Sequence, residues 1–186
     1  ILTLTLVMIM ATTMAREVER GTMENLLALP AEPHEVMIAK ITPYVMVGTV
    51  QTVVILLAAS ILFSVPFVGS LFVLLFGISI FMIANLALGF AFSTVAKSQL
   101  QAMQLSIFFF LPSLLLSGFM FPFRGMPQWA QTIGEVLPLT HFLRVVRGVM
   151  LKGTGMADLQ QPFLMMTGFA VVACVIAMLR YRRTLD

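Results

Sequence analysis

The sequence predicts an all-α, polytopic membrane protein that crosses a bilayer about five times. Of its 186 residues, 60% are hydrophobic and only 10% are charged, and its mean hydropathy is +1.02. A soluble domain carries about 25% charged residues, so this chain has too few polar side chains to cover a surface in water. Its apolar runs, which contain no Asp, Glu, Lys, Arg or His, are 1–15, 41–64, 67–95, 102–121 and 162–179.

Each run is predicted to be helical, because hydrocarbon offers no water to satisfy free backbone groups. The first run, 1–15, would cover only about 22 Å of a hydrocarbon core about 30 Å thick. It lacks a basic start and a small-residue cleavage site, so we do not interpret it as a signal peptide. We interpret it as the remainder of a spanning helix and expect the chain to be the C-terminal part of a longer protein.

Local signals mark where the later helices begin and bend. Ser98 and Gln101 form a capping-box pattern just before the fourth run. Pro162 suits the first turn of the fifth run. Pro112, in the middle of the fourth run, predicts a kink.

The connecting segments alternate between the two sides of the membrane. One side receives 16–40, 96–101 and the tail 180–186, with seven Lys and Arg residues against four on the other side. The positive-inside rule therefore places this side, and the C-terminus, in the cytoplasm. The basic residues form no continuous stripe, which argues against a nucleic-acid partner.

The segment 122–161, on the other side, contains two short amphipathic stretches. Apolar residues recur at helical spacing over 126–137 and again over 139–152, with Pro138 between them. Both stretches are too short to span, so we expect two helices that lie in the interface or dip into the membrane and return. The alternative is a surface flap.

The chain shows no enzyme motif of its own. It contains no HExxH, no GxSxG and no phosphate-binding loop, and its single cysteine, Cys174, excludes an intrachain disulfide. We therefore predict no metal, no bound cofactor and no catalytic residue in this chain. His34 and His141 fall on opposite sides of the membrane, and an intramembrane enzyme would need a catalytic pair that the runs lack.

Uncharged spans also constrain the energy source of any transport. Ion-coupled transporters place Asp, Glu or His within the membrane, and these runs contain none. A separate ATPase that presses on the segment 16–40 would satisfy this constraint. Within that segment Thr22 can cap a short helix, and Met23, Leu26 and Leu27 could dock in a partner's groove. On chemistry alone, an ordinary solvated loop remains the alternative.

Two ordered blocks of sequence resemble the ABC-2 type transporter permeases, in particular their drug-efflux-like branch. The first is R-E-x-E-x-G-T-x-E-x-L-L-x-x-P from Arg16 to Pro30, followed by Glu35 and Lys40. Ala39 departs from the pattern, since the family commonly has Gly there. The second block includes Ser117-Gly118-Phe119-Met120-Phe121-Pro122, Met126-Pro127, Pro138-Leu139-Thr140 and Arg147-Gly148.

This resemblance implies that residues 1–186 are the C-terminal part of a six-span domain in a bacterial inner membrane. It implies a membrane-spanning exporter subunit for drug-like or lipid-like substrates, which dimerises with a second permease subunit. A separate nucleotide-binding subunit would hold ATP and Mg²⁺. It assigns coupling to that ATPase to Arg16, Glu17, Glu19, Arg20, Thr22, Glu24, Leu26 and Leu27. It assigns an outer gate to Pro122, Pro127, Trp129, Glu135, Pro138 and Arg147.

Four residues within the runs have two interpretations. Gln51, Asn85, Gly89 and Phe109 either pack helices together or line a substrate path, because small and amide residues allow close helix contact. A different class of function also stays open. The chain could be a membrane scaffold or anchoring subunit that transports nothing, since uncharged spans fit that role equally well.

Overall fold

The computed structural model describes residues 1–20 and 33–183, which are helical apart from short connections and contain no strand. A 3₁₀ turn at Phe123–Gly125 precedes the fifth helix. The helices are α1 (Leu2–Glu19), α2 (Pro33–Phe63), α3 (Leu71–Ser93), α4 (Gln99–Leu116), α5 (Gln128–Val136), α6 (Pro138–Lys152) and α7 (Gln160–Arg183).

Within the described residues, four helices are long and apolar enough to cross a membrane: Ile38–Phe63 in α2, all of α3, all of α4, and Gln160–Arg180 in α7. The first run forms α1, whose last turns carry Arg16, Glu17 and Glu19. The apolar part of α1 is therefore shorter than that of the other four helices. The predicted all-α, multi-span fold is confirmed.

Helix α3 is the centre of the bundle. It packs most extensively against α7 and α1, and also against α6 and α2. More than half of its spanning residues are buried, against about a tenth of those of α2. Its buried side chains include Leu74, Phe81, Leu86 and Phe90, which form one hydrophobic core with residues of α1, α6 and α7.

Glycines on two sides of α3 allow this close packing. A Cβ on Gly89 would lie 2.7 Å from the carbonyl oxygen of Val7 and 2.8 Å from the Cβ of Met10. A Cβ on Gly77 would lie 2.8 Å from a methyl group of Val145 in α6. Without those Cβ atoms the backbones of neighbouring helices approach closely, which is how helices associate in lipid.

The helix boundaries differ most from the apolar runs at two places. Helix α2 begins at Pro33, eight residues before the second run, and continues through Pro43 into that run. Helix α4 ends at Leu116, although its apolar run continues to residue 121. Gly118 has φ +79°, a left-handed conformation that turns the chain and that glycine adopts without strain.

Other boundaries follow the sequence signals. The Ser98 side chain accepts a hydrogen bond from the backbone N–H of Gln101, as the capping box predicts. The Gln101 side chain reaches the backbone N–H of Lys97, one residue before the expected one. Gly153, with φ +65°, ends α6. Pro162 lies in the first turn of α7, as predicted.

Candidate functional site

The last turns of α1 are joined to two other helices at one end of the bundle, which we call the connector end. The Glu19 carboxylate accepts hydrogen bonds from the backbone N–H of Gln99 at 2.8 Å and from its side-chain Nε2 at 2.5 Å. The Nε of Arg16 donates to the Oε1 of Gln99 at 3.1 Å. Glu17 forms an ion pair with Lys40 of α2. The end of α1 is thus bound to the first turn of α4 and to α2.

The charge of Glu19 is stabilised by these contacts. Hydrogen bonds from the side chain and the backbone of Gln99, helped by the charge of Arg16, hold the pKa of the Glu19 carboxyl below its usual value. The carboxylate is therefore ionised at neutral pH, which is the state that accepts both hydrogen bonds.

Half of the predicted coupling residues lie at this end. Arg16, Glu17 and Glu19 make the contacts described above, and the N–H of Arg20 donates to the carbonyl of Arg16, which closes the helix. The other four lie outside the described residues: Thr22, Glu24, Leu26 and Leu27. The coupling role of all eight stays a prediction.

At the opposite end of the bundle, α5 and α6 form a hairpin, which we call the outer hairpin after its predicted side. Glu135 near the end of α5 and Arg144 of α6 form a two-pronged ion pair, with N–O distances of 3.0 and 2.5 Å. The Arg144 guanidinium also lies 5.0 Å from the centre of the Phe123 ring. The buried His141 donates from Nε2 to the carbonyl oxygen of Glu135 at 2.7 Å.

The same ion pair changes the titration of Glu135. Hydrogen bonds from Arg144 hold the pKa of the Glu135 carboxyl below its usual value, against the opposing effect of partial burial. The charges of Arg144 and His141 also lower this pKa. Glu135 therefore remains ionised to lower pH than an isolated glutamate.

The outer hairpin is attached to the end of α4. Both terminal nitrogens of Arg147 lie 3.3 Å from the carbonyl oxygen of Gly118 and donate to it. Gly134 packs so closely that a Cβ there would lie 2.7 Å from the carbonyl oxygen of Leu116 and 2.8 Å from the Phe123 ring. The hairpin and the last turn of α4 are therefore in direct contact.

The other predicted gate residues have structural positions in this hairpin. Pro122 precedes the 3₁₀ turn, and Pro127 precedes α5. Pro138 is buried and is the first residue of α6. Trp129 is exposed on α5, where an amphipathic ring suits a membrane interface.

The four candidate path residues all make contacts inside this chain. Gln51 donates from Nε2 to Oγ1 of Thr5 at 3.2 Å. Asn85 is fully buried and donates to the carbonyl of Phe81 one turn earlier. Gly89 packs on α1, and the ring of Phe109 meets that of Phe92 edge-on. The contacts of Gln51, Gly89 and Phe109 join two helices, whereas the hydrogen bond of Asn85 lies within α3, so both interpretations of these residues stay predictions.

An apolar cavity of about 450 Å³ lies between α1, α2, α3, α4 and α6 in the half of the bundle near the outer hairpin. Its wall includes Phe81 and Phe142, whose rings stack at 4.0 Å, together with Phe110 and Phe119. Sequence reasoning could not select these rings, because phenylalanines that face a cavity and those that face lipid give the same apolar pattern.

Sequence reasoning also gave no role to Gln99, His141 or Arg144. For Arg144 a signal exists, since Glu135 and Arg144 carry opposite charges on two short helices that Pro138 separates. For Gln99 the only signal is its place in the capping pattern, which says nothing about a partner 80 residues away.

Comparison with known proteins agrees with the family resemblance of the two sequence blocks. The family model of the ABC-2 type transporter matches residues 1–151. The chain is 32% identical over 173 residues to the "Probable multidrug ABC transporter permease YbhS" of Escherichia coli, covering 92% of this chain and 46% of that protein. It is 31% identical over 185 residues to the "Inner membrane transport permease YhhJ" of Escherichia coli, covering 99% and 50%.

A eukaryotic protein also matches. The chain is 28% identical over 162 residues to "ABC transporter G family member 20" of Dictyostelium discoideum, covering 86% of this chain and 22% of that protein. The chain spans about half the length of the Escherichia coli permeases that it resembles.

Proposed function

The chain belongs to the ABC-2 type transporter family, and from this premise we propose that it forms part of the permease subunit of an ATP-driven exporter. ATP, with Mg²⁺, is bound and hydrolysed by a separate nucleotide-binding subunit, and a second permease subunit completes the membrane unit. The connector end faces the cytoplasm, and the membrane is a bacterial inner membrane.

The observation that carries this proposal is the set of contacts at the end of α1. The segment 21–32, which contains the predicted docking residues, directly follows Arg20. The preceding turn is joined to α4 through Gln99 and to α2 through Lys40. A force applied to the segment 16–40 therefore acts on α1, α2 and α4 together.

The amino acids of the spans support an external energy source. Among Asp, Glu, Lys, Arg and His, the four spanning segments contain only Lys40 and Arg180; Lys40 is the third residue of its segment and is paired with Glu17, and Arg180 is the last residue of its own. Harnessing an ion gradient needs a titratable group within the membrane. Mechanical input through a partner subunit needs none.

The cavity supports an apolar or amphipathic substrate. Its wall consists of aliphatic and aromatic side chains apart from Thr3. Such a surface favours ligands by removing apolar area from water and offers little to bind a small charged solute. Drug-like or lipid-like molecules are the class that fits.

The proposal is tested by disrupting the docking segment in the full-length permease, reconstituted in vesicles with its ATPase. Leu26→Asp and Glu24→Arg should each reduce ATP-dependent export of a lipophilic fluorescent dye by at least about tenfold. An unpaired charge in a docking interface costs more than the 1.4 kcal/mol that corresponds to that factor. The measurement is dye export per molecule of reconstituted permease.

Asp158→Arg is the matched charge reversal, since Asp158 is exposed and lies beyond the outer hairpin. It should export normally. Undiminished export by Leu26→Asp, at normal expression, would contradict the coupling role of the segment. If the ATPase binds the unaltered permease and no dye is exported, that result would favour the scaffold function instead.

A further inference from the structure

The nitrogen and the oxygen of the Gln99 side-chain amide are hydrogen-bonded to oppositely charged groups of α1. The Glu19 carboxylate accepts a hydrogen bond from the amide nitrogen, and Arg16 donates one to the amide oxygen. The backbone N–H of Gln99 donates to Glu19 as well. Hydrogen bonds with one charged partner are about twice as strong as neutral ones, and together these three leave the amide one orientation.

Helix α4 runs from this contact to the outer hairpin. Its 18 residues span about 27 Å at 1.5 Å per residue. Its far end is held by Arg147 on the carbonyl of Gly118 and by Gly134 against the carbonyl of Leu116. About a sixth of its residues are buried, and α1 is the neighbour on which it packs most extensively.

Because α4 packs mainly on α1, a displacement of α1 is passed to α4 along their shared length, and the contacts of Gln99 fix the register of the two helices. Pro112 lacks an N–H and removes one backbone hydrogen bond near the far end of α4, so the turns between Gln99 and that proline are the part that moves together. Displacing the end of α1 would shift Gln99, and the shift would reach the outer hairpin along the helix axis. The ion pair of Glu17 and Lys40 leads to α2, and in the turn after α2 the N–H of Val68 donates to the carbonyl of Met150 in α6, so part of the displacement also reaches the hairpin along α2.

We propose that Gln99 is a positioning residue that couples the segment 16–40 to α4 and, through α4, to the outer hairpin. The inference rests on the proposed function, because it needs an ATPase that moves this segment. Gln99 does not line the cavity; it acts by keeping α1 and α4 in register.

The test uses the full-length permease with its ATPase in lipid nanodiscs. A nitroxide label is attached after Gln128→Cys, on the exposed start of α5, with Cys174→Ala to remove the cysteine of this chain. Two quantities are recorded for each variant: the change in label mobility on trapping with ATP and vanadate, and the rate of ATP hydrolysis. Thermal unfolding checks that each variant is folded.

When Glu19 and Gln99 are both unaltered, trapping with ATP and vanadate should change the mobility of the label. Gln99→Ala should reduce that change at least threefold while hydrolysis continues. Gln99→Glu should reduce it further, because two carboxylates would then face each other. The exchange of Glu19→Gln with Gln99→Glu should restore the change, since the amide and the carboxylate only trade helices and Arg16 still has an acceptor.

Gln104→Ala is the matched control, because Gln104 is an exposed glutamine on the same helix. It should respond like the unaltered protein. The inference would be overturned if Gln99→Ala showed the full change in label mobility. It would also be overturned if Glu19→Gln combined with Gln99→Glu failed to restore that change. Failure of the ATPase to co-purify with the unaltered permease would instead contradict the proposed function, so the two failures are distinguishable.

Discussion

At the scale of single residues, the outer hairpin depends on the charge of Glu135. Its carboxylate holds Arg144 in a geometry that also places the guanidinium beside the Phe123 ring. About 40% of the Glu135 side chain is exposed, so solvent screens the pair. A contribution of about 1 kcal/mol or less is therefore expected.

The pH dependence of this contribution has a definite sign. Because the folded-state pKa of Glu135 is lowered, the unfolded chain binds more protons between that pKa and the ordinary value of 4.5. The stabilisation is complete above the ordinary value and is lost as the pH falls through the folded-state pKa. In detergent, Glu135→Gln should melt a few degrees lower than the unaltered protein at pH 7, and this gap should close on acidification.

A double-substitution cycle provides the control for this prediction. In an Arg144→Ala background, Glu135→Gln should change the melting temperature little at any pH, because its partner is absent. A gap of constant size from pH 7 down to pH 3 would show that the ion pair is not its cause.

At the scale of elements, the glycines of α3 and the helices that they contact differ in how well the sequence predicts them. The sequence marked Gly89 as a residue that packs helices together or lines a path. It did not identify the packing partners of the glycines, because Gly77 meets α6 and α7 whereas Gly89, on another side of the same helix, meets α1. Which neighbour occupies a groove depends on how the chain returns through the membrane, and hydropathy contains no information on that order.

The contact at Gly89 gives a stability prediction. Gly89→Ala would place a methyl group 2.7 Å from the backbone oxygen of Val7, so α1 must shift. Overpacking of this kind costs about 1–3 kcal/mol, and the melting temperature in detergent should fall by several degrees.

Gly168→Ala is the matched control on α7, where a Cβ would meet no atom within 4 Å. It should leave the melting temperature unchanged or raise it slightly, because alanine favours helix over glycine. Equal effects of the two substitutions would contradict the packing explanation for Gly89.

Helix ends were predictable where a capping residue marks them and not elsewhere. Ser98 begins α4 and Gly153 ends α6 through local hydrogen bonds and backbone conformation. The end of α4 at Leu116 was missed, because the residues that follow are just as apolar. Hydrophobicity reports depth in the membrane, whereas Gly118 changes the direction of the backbone within the same apolar stretch.

At the scale of the whole molecule, the predicted orientation follows from the distribution of basic residues. The connector end and the tail should face the cytoplasm, so a reporter fused after Asp186 should be active only in the cytoplasm. A second fusion after Gly155, beyond the outer hairpin, should report the opposite side. A tail that reports outside would mean that one run, or the hairpin, crosses the membrane differently.

Amino-acid composition and pattern by themselves determined that this chain is helical, spans a membrane repeatedly and has no Asp, Glu, Lys, Arg or His within its apolar runs. Those properties follow from transfer free energy, which is a sum over residues and needs no knowledge of neighbours. The tertiary structure alone decided that Gln99 meets Glu19 and that four phenylalanines share a cavity. Glu19 and Gln99 lie 80 positions apart and Phe81 and Phe142 lie 61 apart, and only the packing order of the helices brings such residues within contact distance.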